Sequence, residues 1–278
     1  MLALKEFDMK LSIITVNLNN KDGLQKTIDS VISQTFKDFE WIVIDGGSTD
    51  GSKELIEKYS DYISYWVSEP DKGIYNAMNK GIEVALGEYL LFLNSGDILF
   101  EDHTLSFVFN LNIKTDIISG QVERNDTHAL LRKYNPNIFF QIYDDTLNHQ
   151  GTFIKRDLCK KYKYDESLRI VSDWKFWIES IILNHATITV IDSVISIQDM
   201  DGLSNLNKTL SIEERHKIKN IYFPSCVQNE LNTLKKIEKS DIYKNITYLK
   251  EYSPKLYALI YRLSFWLANA SKRLKYHI

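Results

Sequence analysis

The sequence predicts an α/β fold, a mostly parallel sheet flanked by helices with a helical C-terminal extension, and three observations carry that expectation. Between Leu11 and Leu93, four apolar runs rich in β-branched residues alternate with three helical stripes, the pattern of parallel strands joined by right-handed crossovers. Each apolar run breaks off at a polar cluster. The last, residues 87–97 (GEYLLFLNSGD), sets an unalternating apolar run before Asn94-Ser95-Gly96-Asp97. A strand covered on both faces reads this way where it leaves the sheet toward a ligand edge.

In chain order, residues 11–16 form the first expected strand, ending at Asn17-Leu18-Asn19-Asn20. Residues 21–34 carry Leu24, Ile28, Val31 and Ile32 at helical spacing. A second strand over 39–44 empties into Asp45-Gly46-Gly47-Ser48-Thr49-Asp50-Gly51, followed by a short helix over 52–59. A third strand over 63–67 ends at Glu69-Pro70-Asp71-Lys72-Gly73, before a helix over 74–86 with Ile74, Ala77, Met78, Ile82 and Ala85 inward. In a parallel sheet these strand ends share one rim, which collects Asn17, Asp45, Asp50, Glu69, Asp71, Lys72, Asn94 and Asp97. Turn preference explains any one of these clusters; four on one rim point to a ligand site.

The second half is less regular. Strands are expected over 115–119 and 149–155, with antiparallel additions over 121–124 and 129–134 turning at Asn125-Asp126. Ser172-Asp173 opens a helix carrying Trp174, Trp177, Ile178, Ile181 and Ile182. Two short β-branched runs, 187–191 and 194–198, precede Asp199-Met200-Asp201-Gly202-Leu203-Ser204. Beyond residue 207 the sequence turns charged and helical without glycine, so a domain over 1–206 and an extension over 207–278 are expected.

At 278 residues, 44% hydrophobic and 26% charged, the chain has the composition of an ordinary globular protein. A net charge of −3 argues against a nucleic-acid partner held by bulk charge. Cys159 and Cys226 form no CxxC pattern, which excludes a zinc ribbon and favours a reducing compartment. The N-terminus lacks signal-peptide features, and no run reaches the ~18 apolar residues of a membrane span. A cytoplasmic protein is expected. Residues 255–275 mix aromatic and aliphatic with basic side chains. Two readings stay open there: a helix lying on the inner face of an anionic membrane, or one that packs on the first domain or forms a homodimer.

Six ordered segments carry a resemblance: 11–17 (LSIITVN), 43–51 (VIDGGSTDG), 69–81 (EPDKGIYNAMNKG), 87–97, 149–153 (HQGTF) and 172–177 (SDWKFW). Together they resemble family 2 glycosyltransferases, above all bacterial enzymes of capsule, lipopolysaccharide and exopolysaccharide synthesis. The resemblance implies the GT-A fold, a nucleotide-sugar donor (most simply a UDP-sugar), a saccharide or lipid-linked saccharide acceptor, a divalent metal (Mn²⁺ or Mg²⁺) and inversion at the anomeric carbon. It places Thr15, Val16 and Asn17 along the nucleoside, Asp45 on the nucleobase and Lys72 as a base contact. Asn79 matches an asparagine of the third helix. Asn94, Ser95 and Gly96 stand in the metal motif, with Asp97 as its last carboxylate. His149 and Gln150 match a donor or acceptor segment, Asp173 the general base, and Ser204 a loop closing over the diphosphate. The family usually has Asp-x-Asp-Asp where this chain has Asn94-Ser95-Gly96-Asp97, so metal binding coupled to the nucleotide is expected.

Several residues keep a structural alternative. Asp50 suits a helix cap, Asp71 precedes a helix, and Ser172-Asp173 is what a helix N-terminus wants. A lone histidine such as His149 is often a satisfied structural group. Two other functions compete: a non-catalytic nucleotide- or glycan-binding module, and a sugar-1-phosphate nucleotidyltransferase. The latter calls for a glycine-rich, basic loop after the first strand, where this chain has Asn17-Leu18-Asn19-Asn20.

Overall fold

The computed structural model describes residues 9–132, 134, 137–200 and 207–240, with 247–248, 250–256, 258–260 and 262 beyond. Ser204 and its loop lie outside the described residues, as does most of 255–275.

β1 (Leu11–Asn17) is buried at every position and runs parallel to β2 (Phe39–Asp45) on one side. β3 (Tyr65–Ser68) continues the parallel sheet beyond β2, and β4 (Tyr89–Phe92) pairs parallel to β1 on its other side. The crossovers are α1 (Lys21–Ile32), α2 (Ser52–Lys58) and α3 (Ile74–Val84). α1 starts where Asn20 Oδ1 accepts from Gly23 N and buries Leu24, Ile28 and Val31. Asp50 ties two helix starts together, accepting from Lys21 N at 2.8 Å and from Ser52 N at 3.0 Å. The N-cap of α2 is Gly51, without a side-chain cap bond, so Asp50 braces the two helix starts from one residue further out. α3 lies so close to β1 that a Cβ at Gly81 would come within 2.5 Å of Ile14.

The sequence did not signal β5 (Ile98–Leu99), α4 (Thr104–Asn110), α5 (Ile138–Asp144) or α6 (Arg156–Tyr162). β6 (Ile117–Arg124) is one strand where two were expected. Residues 129–131 fold back on it through a single bridge, Glu123 to Leu130, rather than as a full added strand. Residues 149–151 form a 3₁₀ turn, so β7 spans only Thr152–Lys155. α7 (Ser172–Trp177) passes into a π-helical turn, Ile178–Leu183. The two runs near 190 join into β8 (Ile188–Gln198), whose break against β6 is a register shift, not a turn. The sheet order is β3-β2-β1-β4-β7-β6-β8-β5, parallel through its first four strands and mixed beyond.

Two compact units emerge, Met1–Ile218 and Lys219–Ile278. α8 (Lys208–Tyr222) begins within the first, and α9 (Ser225–Lys239) belongs to the second. Among the described residues, no helix is long and apolar enough to cross a membrane.

Candidate active site

A cleft of about 730 Å³ opens where β1 and β4 end. β1 delivers Val16 and Asn17 to its wall, and the turn after β4 delivers Asn94, Ser95 and Asp97. His149, Gln150 and Asp173 reach it from the second half of the chain.

Asn17, Asp45 and Ser68 are register partners on three neighbouring strands, so they point to one face of the sheet. Their side chains meet. The Asp45 carboxylate accepts from Asn17 Nδ2 (2.7 Å), Ser48 Oγ (2.5 Å), Ser48 N (2.9 Å), Gly47 N (3.2 Å) and Ser68 Oγ (2.6 Å). Burial raises its pKa, but hydrogen bonds from Ser48, Ser68 and Asn17 outweigh burial and hold it below the usual carboxylate range. Asp45 is fully buried and does not line the cleft.

Asp97 is built oppositely. It is 4% exposed, and burial pushes its pKa up to about 7 although Asp199 N donates to Oδ1 at 2.9 Å. The Asp199 carboxylate raises it further, while His149 and Gln150 oppose the shift. Gly96, at φ 101°, lets Asp199 approach: a Cβ there would lie 2.6 Å from Asp199 Oδ2. Two carboxylates therefore meet where the sequence showed one. Among the described residues they form no cluster of three or more acidic, histidine or cysteine ligands. Nearby, Asn94 Oδ1 is buried without a hydrogen-bond partner. The pair still fits a hard divalent cation, which needs only one or two carboxylates when phosphates and water complete its shell.

His149 bridges this corner to Asp173: Asn94 Nδ2 lies 3.2 Å from its Nε2, and its Nδ1 lies 3.8 Å from Asp173 Oδ2. Asp173 Oδ1 accepts from Trp174 N at 2.7 Å, and Oδ2 takes a long bond from Thr146 Oγ1 at 3.4 Å. Asp173 lines the cleft from the first turn of α7, whose N-cap is Val171 with no side-chain cap bond. The site also contains cations that the sequence did not reveal. Arg215 of α8 lines the cleft over the Trp174 ring (4.8 Å) and shares Asp145 with Arg132. Burial lowers the Arg215 pKa, against the pull of Asp173 and Asp145. The adjacent Glu214 accepts from Arg169, Ile170 and Val171 N at 2.7–3.2 Å, fixing the approach to Ser172.

Other expected site residues sit elsewhere. Thr15 Oγ1 accepts from Trp41 Nε1 at 3.0 Å within the core. Asn79 bonds Tyr164 on both edges of its amide and reaches Glu166, pinning α3 to that loop. Lys72 is absent from the cleft's own lining; it lines a hollow of about 180 Å³ that shares Gly73, Tyr75 and Arg169 with the cleft. Asp199 obeys the same strand-exit rule as Asp97, but β8 could not be oriented from sequence. Arg215 and Glu214 left no signal beyond a charged helix.

A cleft at the C-terminal rim of an open α/β sheet is where proteins of the doubly wound class bind ligands. The comparisons place it further: the chain belongs to glycosyl transferase family 2, whose family model matches residues 12–165. It is 31% identical over 213 residues to a PGL/p-HBAD biosynthesis glycosyltransferase of Mycobacterium bovis, covering 70% of this chain and 78% of the relative. S. aureus TarS in complex with UDP-GlcNAc superposes with a TM-score of 0.63 at 20% identity, covering 77% of this chain and 65% of that one. A Pyrobaculum calidifontis mannosyltransferase in complex with GDP-Man and Mn²⁺ gives 0.54 at 13% identity, covering 93% and 90%. Both structural likenesses bear on the fold, which they share.

Proposed function

We propose that the chain transfers a sugar from a UDP-sugar to a hydroxyl of a saccharide or lipid-linked saccharide acceptor, inverting the anomeric carbon. The observation that carries this is Asp173 lining the same cleft as Asn94, Ser95 and Asp97 of the β4 exit, with its Oδ2 3.8 Å from His149 Nδ1. The acceptor oxygen bonds to C1 as the bond from C1 to the diphosphate oxygen breaks, and the acceptor proton passes to Asp173 Oδ2. The nucleoside diphosphate leaves. His149 holds the gap between donor and acceptor sides, and Trp174 N keeps Asp173 in place. The UDP-GlcNAc complex of TarS supports the donor class. Asp97 and Asp199 would hold a divalent cation, which when bound supplies Lewis-acid neutralisation of the departing diphosphate. Cys159 and Cys226 are both free thiols, in keeping with a cytoplasmic enzyme. The catalytic domain spans 1–206 in this proposal, with 207–278 as its helical extension.

Calorimetric titration of UDP, with and without Mn²⁺, combined with transfer assays on UDP-sugars tests this directly. Asp173→Asn should keep UDP affinity within about twofold while transfer falls about a thousandfold. Substantial transfer by that variant would exclude Asp173 as the base. UDP binding without turnover of any donor would instead support a non-catalytic module.

A further inference from the structure

Resemblance assigned the nucleobase to Asp45, yet that carboxylate has nothing left to offer. An ionised carboxylate has about four lone-pair sites, and Asp45 already receives Asn17 Nδ2, Gly47 N, Ser48 N, Ser48 Oγ and Ser68 Oγ. It is also fully buried. Its role is to lock three strand ends together.

The neighbouring position shows what takes over. Residue 46 is glycine, and a Cβ built there would lie 2.6 Å from Asp71 Oδ2 and 3.2 Å from Leu18 Cδ1. The Asp71 carboxylate therefore fills the space that a side chain at position 46 would occupy. Gly73 N donates to Asp71 Oδ1 at 2.7 Å, so one oxygen is tied to its own loop. That loop is interlocked with the β2 exit: Gly47, at φ 82°, sits where a Cβ would meet Pro70 N at 3.1 Å. Asp71 lines the cleft beside Val16, Asn17 and Leu18, and among the described residues no lysine or arginine forms an ion pair with it.

We propose that Asp71, reached across Gly46, is the carboxylate that reads the donor's nucleobase by accepting the imide N–H of uracil. This rests on the UDP-sugar proposal above. A carboxylate discriminates at that edge, because uracil presents N3–H where cytosine presents a lone pair. Cytosine is repelled and uracil held.

The test is calorimetric titration of UDP and CDP into the full chain and three variants, each checked by thermal melting. The wild type should prefer UDP. Asp71→Ala should weaken UDP by about ten- to a hundredfold, the range of a hydrogen bond to a charged group, and leave CDP nearly unchanged. Asp71→Asn keeps the side chain's size and adds an amide donor, so CDP should gain relative to UDP, a reversal that loop damage alone would not produce. Gly46→Ala should displace the carboxylate and reduce the UDP preference with the Asp71 side chain intact. If the wild type prefers UDP and every variant keeps that preference, Asp71 does not read the base, while the UDP-sugar proposal stands. Equal wild-type affinity for UDP and CDP would also remove the Asp71 role. A wild type that does not bind UDP would bring down the donor proposal and this one together.

Discussion

Asp45 and Asp97 close neighbouring stretches of one sheet edge, and both are almost wholly buried. Their electrostatics diverge because their neighbours do. Asp45 is surrounded by donors from three strand ends, which hold its pKa low despite burial. Asp97 has few donors and a second carboxylate beside it, and burial carries its pKa up to about 7. Burial alone would have pushed both upward. The saturated carboxylate is a structural rivet; the one short of positive charge is where a cation would be gained. On this edge, the partners of a carboxylate separate scaffold from site better than its place at a strand end.

That contrast predicts opposite outcomes for the two removals. The largest effect belongs to Asp97→Asn, which should reduce transfer by about a hundredfold or more, since one stabilising charge contact to a leaving group is commonly worth that much. The same variant should melt no lower than the wild type at pH 8, because a costly buried charge is gone. A normal transfer rate in Asp97→Asn would break the comparison at its functional end. Asp45→Ala should do the reverse and destabilise the fold by about 3 kcal/mol or more, leaving several buried donors unmet. Chemical denaturation measures it, and a loss below about 1 kcal/mol would show that the rivet is not one. A smaller effect is expected from Glu214→Gln, which turns an acceptor oxygen into a donor facing backbone N–H groups. We expect a loss of roughly 2 kcal/mol and a lower turnover, since Asp173 follows the tethered loop. Unchanged turnover would separate that tether from the chemistry.

The same contrast marks what the sequence could show. The first four strands and three helices were legible because apolar runs and helical stripes alternate regularly there, each run breaking off at a polar cluster. Asn17, Asn94, Asp97, His149, Gln150 and Asp173 were legible as cleft residues, from strand exits or from family segments. Asp199 was hidden because 187–191 and 194–198 read as two short runs of unknown direction, when they form one strand parallel to β6 with a register shift. Arg215 and Glu214 were hidden for another reason: they act through tertiary packing of α8 against residues 169–174, and a charged helix carries no mark of what it will touch. Asp45 shows the converse limit. Its residue type and position suited a ligand contact, and only the count of donors around it revealed a different use.

The gentlest probe of the Asp45–Asp97 contrast is pH. For Asp97 the folded-state pKa of about 7 lies above the ordinary value of 3.8. The folded protein therefore holds a proton that the unfolded chain has released, and stability falls as pH rises from about 4 to about 7. Above that the contribution is flat. Asp45 has its pKa lowered on folding, so its stabilisation is present above the unfolded value and is lost as pH falls through the folded one. A single group changes stability by at most about 1.4 kcal/mol per pH unit, so matched denaturation curves at closely spaced pH are needed. The expected result is that Asp97→Asn gains on the wild type between pH 5 and 7, where the wild type's unfolded chain has ionised while its fold still holds the proton. Asp45→Ala should instead narrow its deficit only toward acid, where the wild-type carboxylate begins to protonate. Parallel curves for Asp97→Asn and the wild type across neutral pH would mean that Asp97 ionises without cost, and that its neighbours already supply the charge a cation would bring.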